Sequence, residues 1–148
     1  MLRGLVLDFG GVLAGPGTDP EAISAAVSAL RRQGVRTAIL SNDPGGPHGQ
    51  WLRDLAGTLV DEVVLSGDVG VAKPDAASYR LAAERLGLEP AECVFVDDLT
   101  GNVRGAVAAG MVGVHHDGPD TVLAELAVLF DSTAGRSRPP GGEGDYPQ

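Results

Sequence analysis

The run Leu5-Val6-Leu7-Asp8-Phe9-Gly10-Gly11 constrains this chain more than any other segment. Consecutive apolar residues with no polar alternation read as a strand buried on both faces, the pattern of a parallel sheet covered by helices. The strand ends on an acidic residue. Open α/β sheets bind their ligands at the carboxyl ends of strands, and a glycine turn there can offer backbone N–H groups to an anion. Asp8 is therefore the first candidate for chemistry, although a single acidic strand end with a glycine turn is also ordinary punctuation. The rest of the chain has to decide between the two.

The pattern recurs. Leu5–Leu7, Thr37–Leu40, Glu62–Leu65, Val94–Val96 and Val112–His115 are the predicted strands, and helical patterns alternate with them. Asp19-Pro20 supplies a cap and a first-turn proline ahead of Ile23, Ala26, Val27 and Leu30, with Gly34 as the stop. Asp75 to Leu86 reads as a second helix closed by Gly87, and Asn102 to Ala109 as a third closed by Gly110. Asp120 is placed to cap a last helix carrying Leu123, Leu126, Ala127 and Phe130. This alternation predicts an α/β fold of the Rossmann-like, three-layer kind, with a five-stranded, mainly parallel sheet. The core domain is expected over 1–131, and the Gly-, Pro- and Ser-rich stretch 132–148 is expected to be a disordered tail.

Bulk properties narrow the function. A chain of 148 residues suits one domain, and Lys plus Arg number 11 against 20 Asp plus Glu, a net charge of -9. That balance argues against binding nucleic acid or an anionic membrane surface. The single cysteine, Cys93, lies in the apolar run CVFV and reads as a buried structural thiol in a reducing compartment. With no signal-like segment at the start and no apolar run long enough to span a bilayer, a cytoplasmic location is expected.

Three further polar clusters sit where strands end or helices begin: Ser41-Asn42-Asp43, Lys73-Pro74-Asp75 and Asp97-Asp98. In a parallel sheet these converge with Asp8 on one edge. Two carboxylates brought together from two strands call for a cation, and Asp8 with Asp98 suits a hard metal such as Mg²⁺. A hydroxyl and an ammonium, from Ser41 and Lys73, suit phosphate oxygens. This is a set of groups for phosphoryl transfer, with Asp8 as nucleophile.

These residues also carry a resemblance. DFGGVL, LSN, KPD and VFVDDLTGN stand in the order and setting of the haloacid dehalogenase superfamily, over roughly residues 1 to 116. The wording SGDVGVAKPDAASYRLAAERLG is similar to the subgroup holding epoxide-hydrolase phosphatase domains and sugar-phosphate phosphatases. The resemblance implies that Asp8 is nucleophile and Mg²⁺ ligand, with the Gly10 carbonyl and Asp98 as further ligands. It implies that Ser41 and the Asn42 amide hold phosphoryl oxygens, and that Lys73 bridges nucleophile and phosphate. Asp97 and Asn102 would steady the site from behind.

Two departures from that family pattern matter. Gly10 stands where family phosphatases carry a second aspartate, the general acid, so turnover is expected to be weak, most of all on alkyl phosphates. Asp43 and His48, in the loop after Ser41, are the candidate substitute acids. The second departure is size, because the spacings from Asp8 to Ser41 and from Ser41 to Lys73 leave no room for a cap domain. An open site is expected to take phosphate on a bulky or macromolecular partner, or to borrow a lid from another subunit of a homo-oligomer. Trp51, the only tryptophan, reads as a core or interface side chain rather than a substrate platform. His115-His116 reads as a loop pair, not a metal site.

A Mg²⁺-dependent phosphatase is the leading reading. A binding or regulatory protein that has lost turnover with the second aspartate is the alternative. A dehalogenase using Asp8 to displace halide is the third, disfavoured by Asp98 and by the missing cap.

Overall fold

Every predicted strand forms. In the structure, a computed structural model describing the backbone of residues 1–137 and the side chains of residues 1–131, the strands are β1 (Gly4–Leu7), β2 (Arg36–Ser41), β3 (Glu62–Leu65), β4 (Cys93–Asp97) and β5 (Val112–His115). They form one sheet in the order β3-β2-β1-β4-β5, and each neighbouring pair is parallel. Among the described residues, five α-helices lie between strands, α1 (Pro20–Arg32), α2 (Gln50–Arg53), α3 (Ser66–Val69), α4 (Ala76–Arg85) and α5 (Thr100–Ala108), and α6 (Pro119–Ser137) follows β5.

The period of two along each strand sorts the core into two layers. Leu5, Leu7, Ile39, Val94 and Val96 face α1 and α6, where Ile23, Val27, Leu126 and Phe130 complete the packing. Val6, Ala38, Leu40 and Phe95 face the other way, onto Tyr79, Ala82, Ala83 and Leu86 of the α4 segment and Ala106 of α5. A central strand buried on both faces is why β1 reads as unbroken apolar sequence. Cys93 is fully buried in the second layer, and burial, with the Glu92 charge, pushes its thiol up to about 11, so it is an inert packing group.

The caps follow the sequence signals. Asp19 accepts the Ala22 N–H at 3.1 Å with Pro20 in the first turn, and Asp75 accepts the Ala77 N–H at 2.9 Å. At the last helix the expected cap is displaced: Pro119 opens α6 and Asp120 lies inside its first turn, since proline is pre-organised for the first helical position. The α6 backbone also runs past the boundary drawn at residue 131, to Ser137, because a helix once nucleated gains a hydrogen bond per added residue. The rest of the tail read as disordered lies outside the described residues.

Trp51 corrects the sequence reading as regards the core. The one-turn helix α2 buries Leu52, so its neighbour Trp51 turns outward and is 55% exposed. Among the described residues no connection carries an inserted domain: β1 and β2 are joined through α1, and β2 and β3 through a 3-10 turn (Pro47–Gly49) and α2. No helix among them is long and apolar enough to cross a membrane.

Candidate active site

Strand order locates the site. From β1 the sheet grows through β2 and β3 on one side and through β4 and β5 on the other, so the carboxyl ends of β1 and β4 flank a topological switch point. Leu7 pairs with Val96, and the Asp8 N–H donates to the Val96 carbonyl at 2.9 Å, which puts Asp8 level with Asp97. Ser41 ends β2 on the same edge, 8% exposed and opposite Leu65.

Lys73, in the turn before α4, reaches into this crevice and is almost wholly buried. Its Nζ lies 3.0 Å from Asp8 Oδ1 and 2.9 Å from Asp97 Oδ2, and 5.4 Å from the centre of the Phe95 ring. Asn42 holds the lysine from behind: its side-chain amide donates to the Lys73 carbonyl and accepts the Lys73 N–H, each at 3.0 Å. The strand-end loop that follows Ser41 thus fixes the ammonium, a role the sequence did not disclose.

Asp97 is fully committed. Its Oδ1 accepts the Leu99 N–H at 2.9 Å, and its Oδ2 accepts from Lys73 and, at 3.1 Å, from the Asn102 side chain. Asn102 is anchored in turn, its carbonyl accepting the Tyr79 hydroxyl at 2.6 Å. Asp98 lies against the turn after Asp8, filling the space a Cβ on Gly11 would need. Asp8, Asp97 and Asp98 each offer a carboxylate oxygen, all within 4.8 Å of one another.

Three carboxylates against one ammonium leave negative charge uncompensated. Burial first, with the Asp97 charge adding and Lys73 opposing, raises Asp8 from 3.8 to about 6. Burial and the neighbouring Asp97 likewise raise Asp98. With Asp97 taken up by Lys73, Asn102 and the Leu99 amide, Asp8 and Asp98 are the acids available to a cation. An all-oxygen donor set under electrostatic strain suits a hard divalent ion such as Mg²⁺.

The loop beyond Ser41 is braced rather than loose. The Asp43 N–H donates to Ser66 Oγ, the Gly67 N–H donates to the Asp43 carbonyl, and Arg53 pairs with Asp68 at 2.8 Å while reaching the Gly46 carbonyl. Asp43 spends Oδ1 on the Gly45 N–H at 2.8 Å, and His48 is exposed in the 3-10 turn. Among the described residues neither candidate substitute acid hydrogen-bonds to Asp8. Gly10 itself is open: nothing lies within 4 Å of where its Cβ would be.

The reading of His115 and His116 as a loop pair is corrected in part, because His115 is the last residue of β5. His115 Nε2 donates to the Asp98 carbonyl at 2.9 Å, and the His116 N–H donates to the Asp97 carbonyl at 2.9 Å, so the pair braces the acidic turn. The register of β5 against β4, which pairs Asp97 with His115, is the signal that could have shown it.

Comparison with known proteins agrees with this geometry. A family model for haloacid dehalogenase-like hydrolases matches residues 3–110. The chain is 35% identical over 108 residues to acyl-CoA dehydrogenase family member 10 of Mus musculus, a match covering 73% of the chain and 10% of that protein. It is 34% identical over 115 residues to a phosphatase of Mycobacterium tuberculosis, covering 72% of the chain and 53% of the relative. The chain thus spans about half, or far less, of these curated relatives. An uncharacterized protein from Corynebacterium glutamicum has the same fold at 42% identity and a TM-score of 0.83, over 88% of this chain and 96% of that one. A wild-type enzyme of this family from Bacteroides thetaiotaomicron, solved with magnesium and inorganic phosphate, shares the fold at 16% identity and a TM-score of 0.59, over 80% and 96% of the two chains.

Proposed function

The chain belongs to the haloacid dehalogenase-like hydrolase family, and on that footing we propose that it is a Mg²⁺-dependent phosphatase working through an aspartyl-phosphate on Asp8. The observation that carries the reading is Lys73 Nζ held between Asp8 and Asp97, with Asp98 converging on the same point. A buried ammonium beside a carboxylate nucleophile lets a phosphate dianion approach a group that would otherwise repel it. The phosphatase from Mycobacterium tuberculosis and the magnesium–phosphate complex of the Bacteroides enzyme support the same chemistry.

In this reading a carboxylate oxygen of Asp8 attacks phosphorus and the P–O bond to the leaving group breaks. The bonding pair departs with the alkoxide, which takes its proton from solvent because Gly10 has none to give. Water then attacks the phosphorus of the acyl phosphate and passes its proton to solvent, freeing inorganic phosphate and the Asp8 carboxylate. The Ser41 hydroxyl and the Asn42 N–H hold phosphoryl oxygens, while Asp97 and Asn102 keep Lys73 in place. Mg²⁺, held by Asp8, Asp98 and the Gly10 carbonyl, would shield the charges that meet at the nucleophile. The uncovered site suits a phosphate borne on a bulky or macromolecular partner, or a homo-oligomer lending a lid. The buried Cys93 suits a reducing, cytoplasmic setting.

A second reading, a phosphate-binding or regulatory protein without turnover, is favoured by one observation: the side chain that would protonate the leaving group is absent at Gly10. Hydrolysis of acetyl phosphate and p-nitrophenyl phosphate with Mg²⁺ or EDTA, in the wild type and in Asp8→Asn, separates the two. Turnover that needs both Mg²⁺ and Asp8 is the expected result. Binding of phosphate with no hydrolysis by the wild type would overturn the phosphatase reading in favour of the second.

A further inference from the structure

Among the large apolar side chains the fold leaves most exposed, two stand beside the candidate site: Trp51, 55% exposed, and Leu99, 58% exposed and directly after Asp98. Solvent exposure of a tryptophan forfeits the largest apolar surface any residue can bury, so an outward indole needs a reason. Trp51 is not loose. Its ring meets that of Phe9 edge-to-face, with centroids 5.1 Å apart and planes at 76°, and Phe9 is the residue immediately after Asp8. Phe9 is itself packed against the core and donates its N–H to Asp8 Oδ1 at 2.8 Å.

The helix that carries Trp51 is tied down as well. A Cβ on Gly49, two residues earlier, would stand 3.4 Å from Asp43 Oδ1, which places the start of α2 against the loop that leaves Ser41. The salt bridge from Arg53 to Asp68 and the hydrogen bond from Arg53 to the Gly46 carbonyl fasten that helix to the rest of the loop. The indole is therefore held edge-to-face on the neighbour of the nucleophile, and the helix that carries it starts against the loop following Ser41. With no inserted domain to cover it, its surface remains open to solvent on the rim of the site.

We propose that Trp51, braced by Phe9, is the platform for the leaving group and selects phosphate monoesters of flat, apolar alcohols, of which an aryl phosphate is the simplest. The inference rests on the phosphatase reading and names its substrate class. The reasoning is geometric. A phosphoryl group seated at Asp8 and Lys73 must project its ester oxygen out of an uncapped crevice, and the fixed aromatic surface at that edge is the indole. A rigid aromatic stacks on a flat apolar group at small entropic cost, with a preference worth about tenfold in affinity. It gives nothing to a small polar alcohol.

Two measurements test this and keep its failure apart from that of the parent reading. The first is the ratio of kcat/KM for phenyl phosphate over acetyl phosphate, in the wild type, Trp51→Ala and Trp51→Phe, with melting curves to verify folding. Trp51→Ala is expected to lower the ratio about tenfold and Trp51→Phe to restore most of it. A ratio unchanged in Trp51→Ala while both compounds are hydrolysed overturns the platform and leaves the phosphatase standing. The second uses the fact that Trp51 is the only tryptophan, so the chain has one indole N–H resonance. In Asp8→Asn, phenyl phosphate is expected to shift that resonance well beyond the shift caused by inorganic phosphate. If no ester is hydrolysed, that shift alone upholds the platform, and its absence overturns it. A concentration-dependent dimer lost in Trp51→Ala, with the phenyl preference intact, would also overturn it by assigning the indole to a second copy of the chain.

Discussion

Gly11 and the carboxyl group of Asp98 adjoin so closely that a Cβ on the glycine would occupy the same space. Gly11 also has φ +82°, a left-handed conformation that costs a side chain strain. Its neighbour Gly10 has nothing within 4 Å of a Cβ. Gly11→Ala is therefore expected to destabilise the protein by about 1–3 kcal/mol and, by displacing Asp98, to cut Mg²⁺-dependent turnover at least tenfold. Gly10→Ala is expected to stay within about 0.5 kcal/mol of wild type. Urea titrations and rate measurements on both variants check this, and wild-type behaviour of Gly11→Ala would contradict the close approach.

The open space at Gly10 allows a second test. An aspartate there would project into solvent at the mouth of the site and could restore the proton donor that the leaving alkoxide lacks. Gly10→Asp is expected to raise kcat on an alkyl phosphate by roughly 10²-fold or more, the usual scale of general acid catalysis, and to raise it much less on p-nitrophenyl phosphate. An equal change on both esters would mean that the new carboxyl acts through charge and not as an acid.

The sheet and the edge that carries the candidate site were legible because they rest on local signals. Apolar runs of strand length, punctuated by Asp19-Pro20, Gly34 and Gly87, fixed the elements, and parallel order alone brought Asp8, Ser41 and Asp97-Asp98 to one edge. What the sequence hid are contacts made by rotamers across long separations. Nothing in Asn42 announces that its amide clamps Lys73, and no periodic signal marks Asp61. Trp51 escaped because α2 is one turn long, too short for an amphipathic pattern to say which side chain faces inward.

Asp61 shows how much such a contact can carry. Just before β3, its carboxylate accepts the Thr37 N–H at 2.8 Å and the Thr37 hydroxyl at 3.1 Å, and it pairs with Arg31 of α1 at 2.9 Å. Burial works to raise this acid, but the bonds from Thr37 and Arg31 outweigh it and hold Asp61 below the usual range. A lowered acid lends stability that is present above the unfolded-state value and is lost as pH falls through the folded one. Asp61→Ala is expected to cost about 1–3 kcal/mol at pH 7 and noticeably less near pH 3, read from urea unfolding at the two pH values. A cost that does not shrink on acidification would show that the charge is immaterial.

Asp8 behaves in the opposite sense. Because it stands at about 6 against 3.8 for a free aspartate, the folded protein holds this proton more tightly than the unfolded chain does. The associated stability is complete below pH 4 and is lost as pH rises through about 6. In EDTA the stability of Asp8→Asn relative to wild type should therefore climb between those limits, by up to about 3 kcal/mol. Added Mg²⁺ at pH 7 should raise the melting temperature of the wild type and leave that of Asp8→Asn nearly unmoved. Equal Mg²⁺ responses in the two proteins would remove Asp8 from the metal site.

Lys73 offers the sharpest contrast between breaking a charge network and deleting it. With its side chain 1% exposed and bonded to both Asp8 and Asp97, it is the cation that makes those two carboxylates tolerable in the interior. Lys73→Met keeps the volume and removes the charge, leaving two buried carboxylates to face each other, which typically costs about 3–5 kcal/mol. Burial and the Asp97 charge would then raise Asp8 with no ammonium to oppose them, so the loss should be greatest at neutral pH and shrink on acidification. Adding Asp97→Asn to Lys73→Met removes one of the stranded charges and should recover part of that stability without recovering turnover. Urea unfolding at pH 5 and pH 8 for the single and double variants decides the matter: a double variant no more stable than Lys73→Met would mean that repulsion between the stranded carboxylates is not the source of the loss.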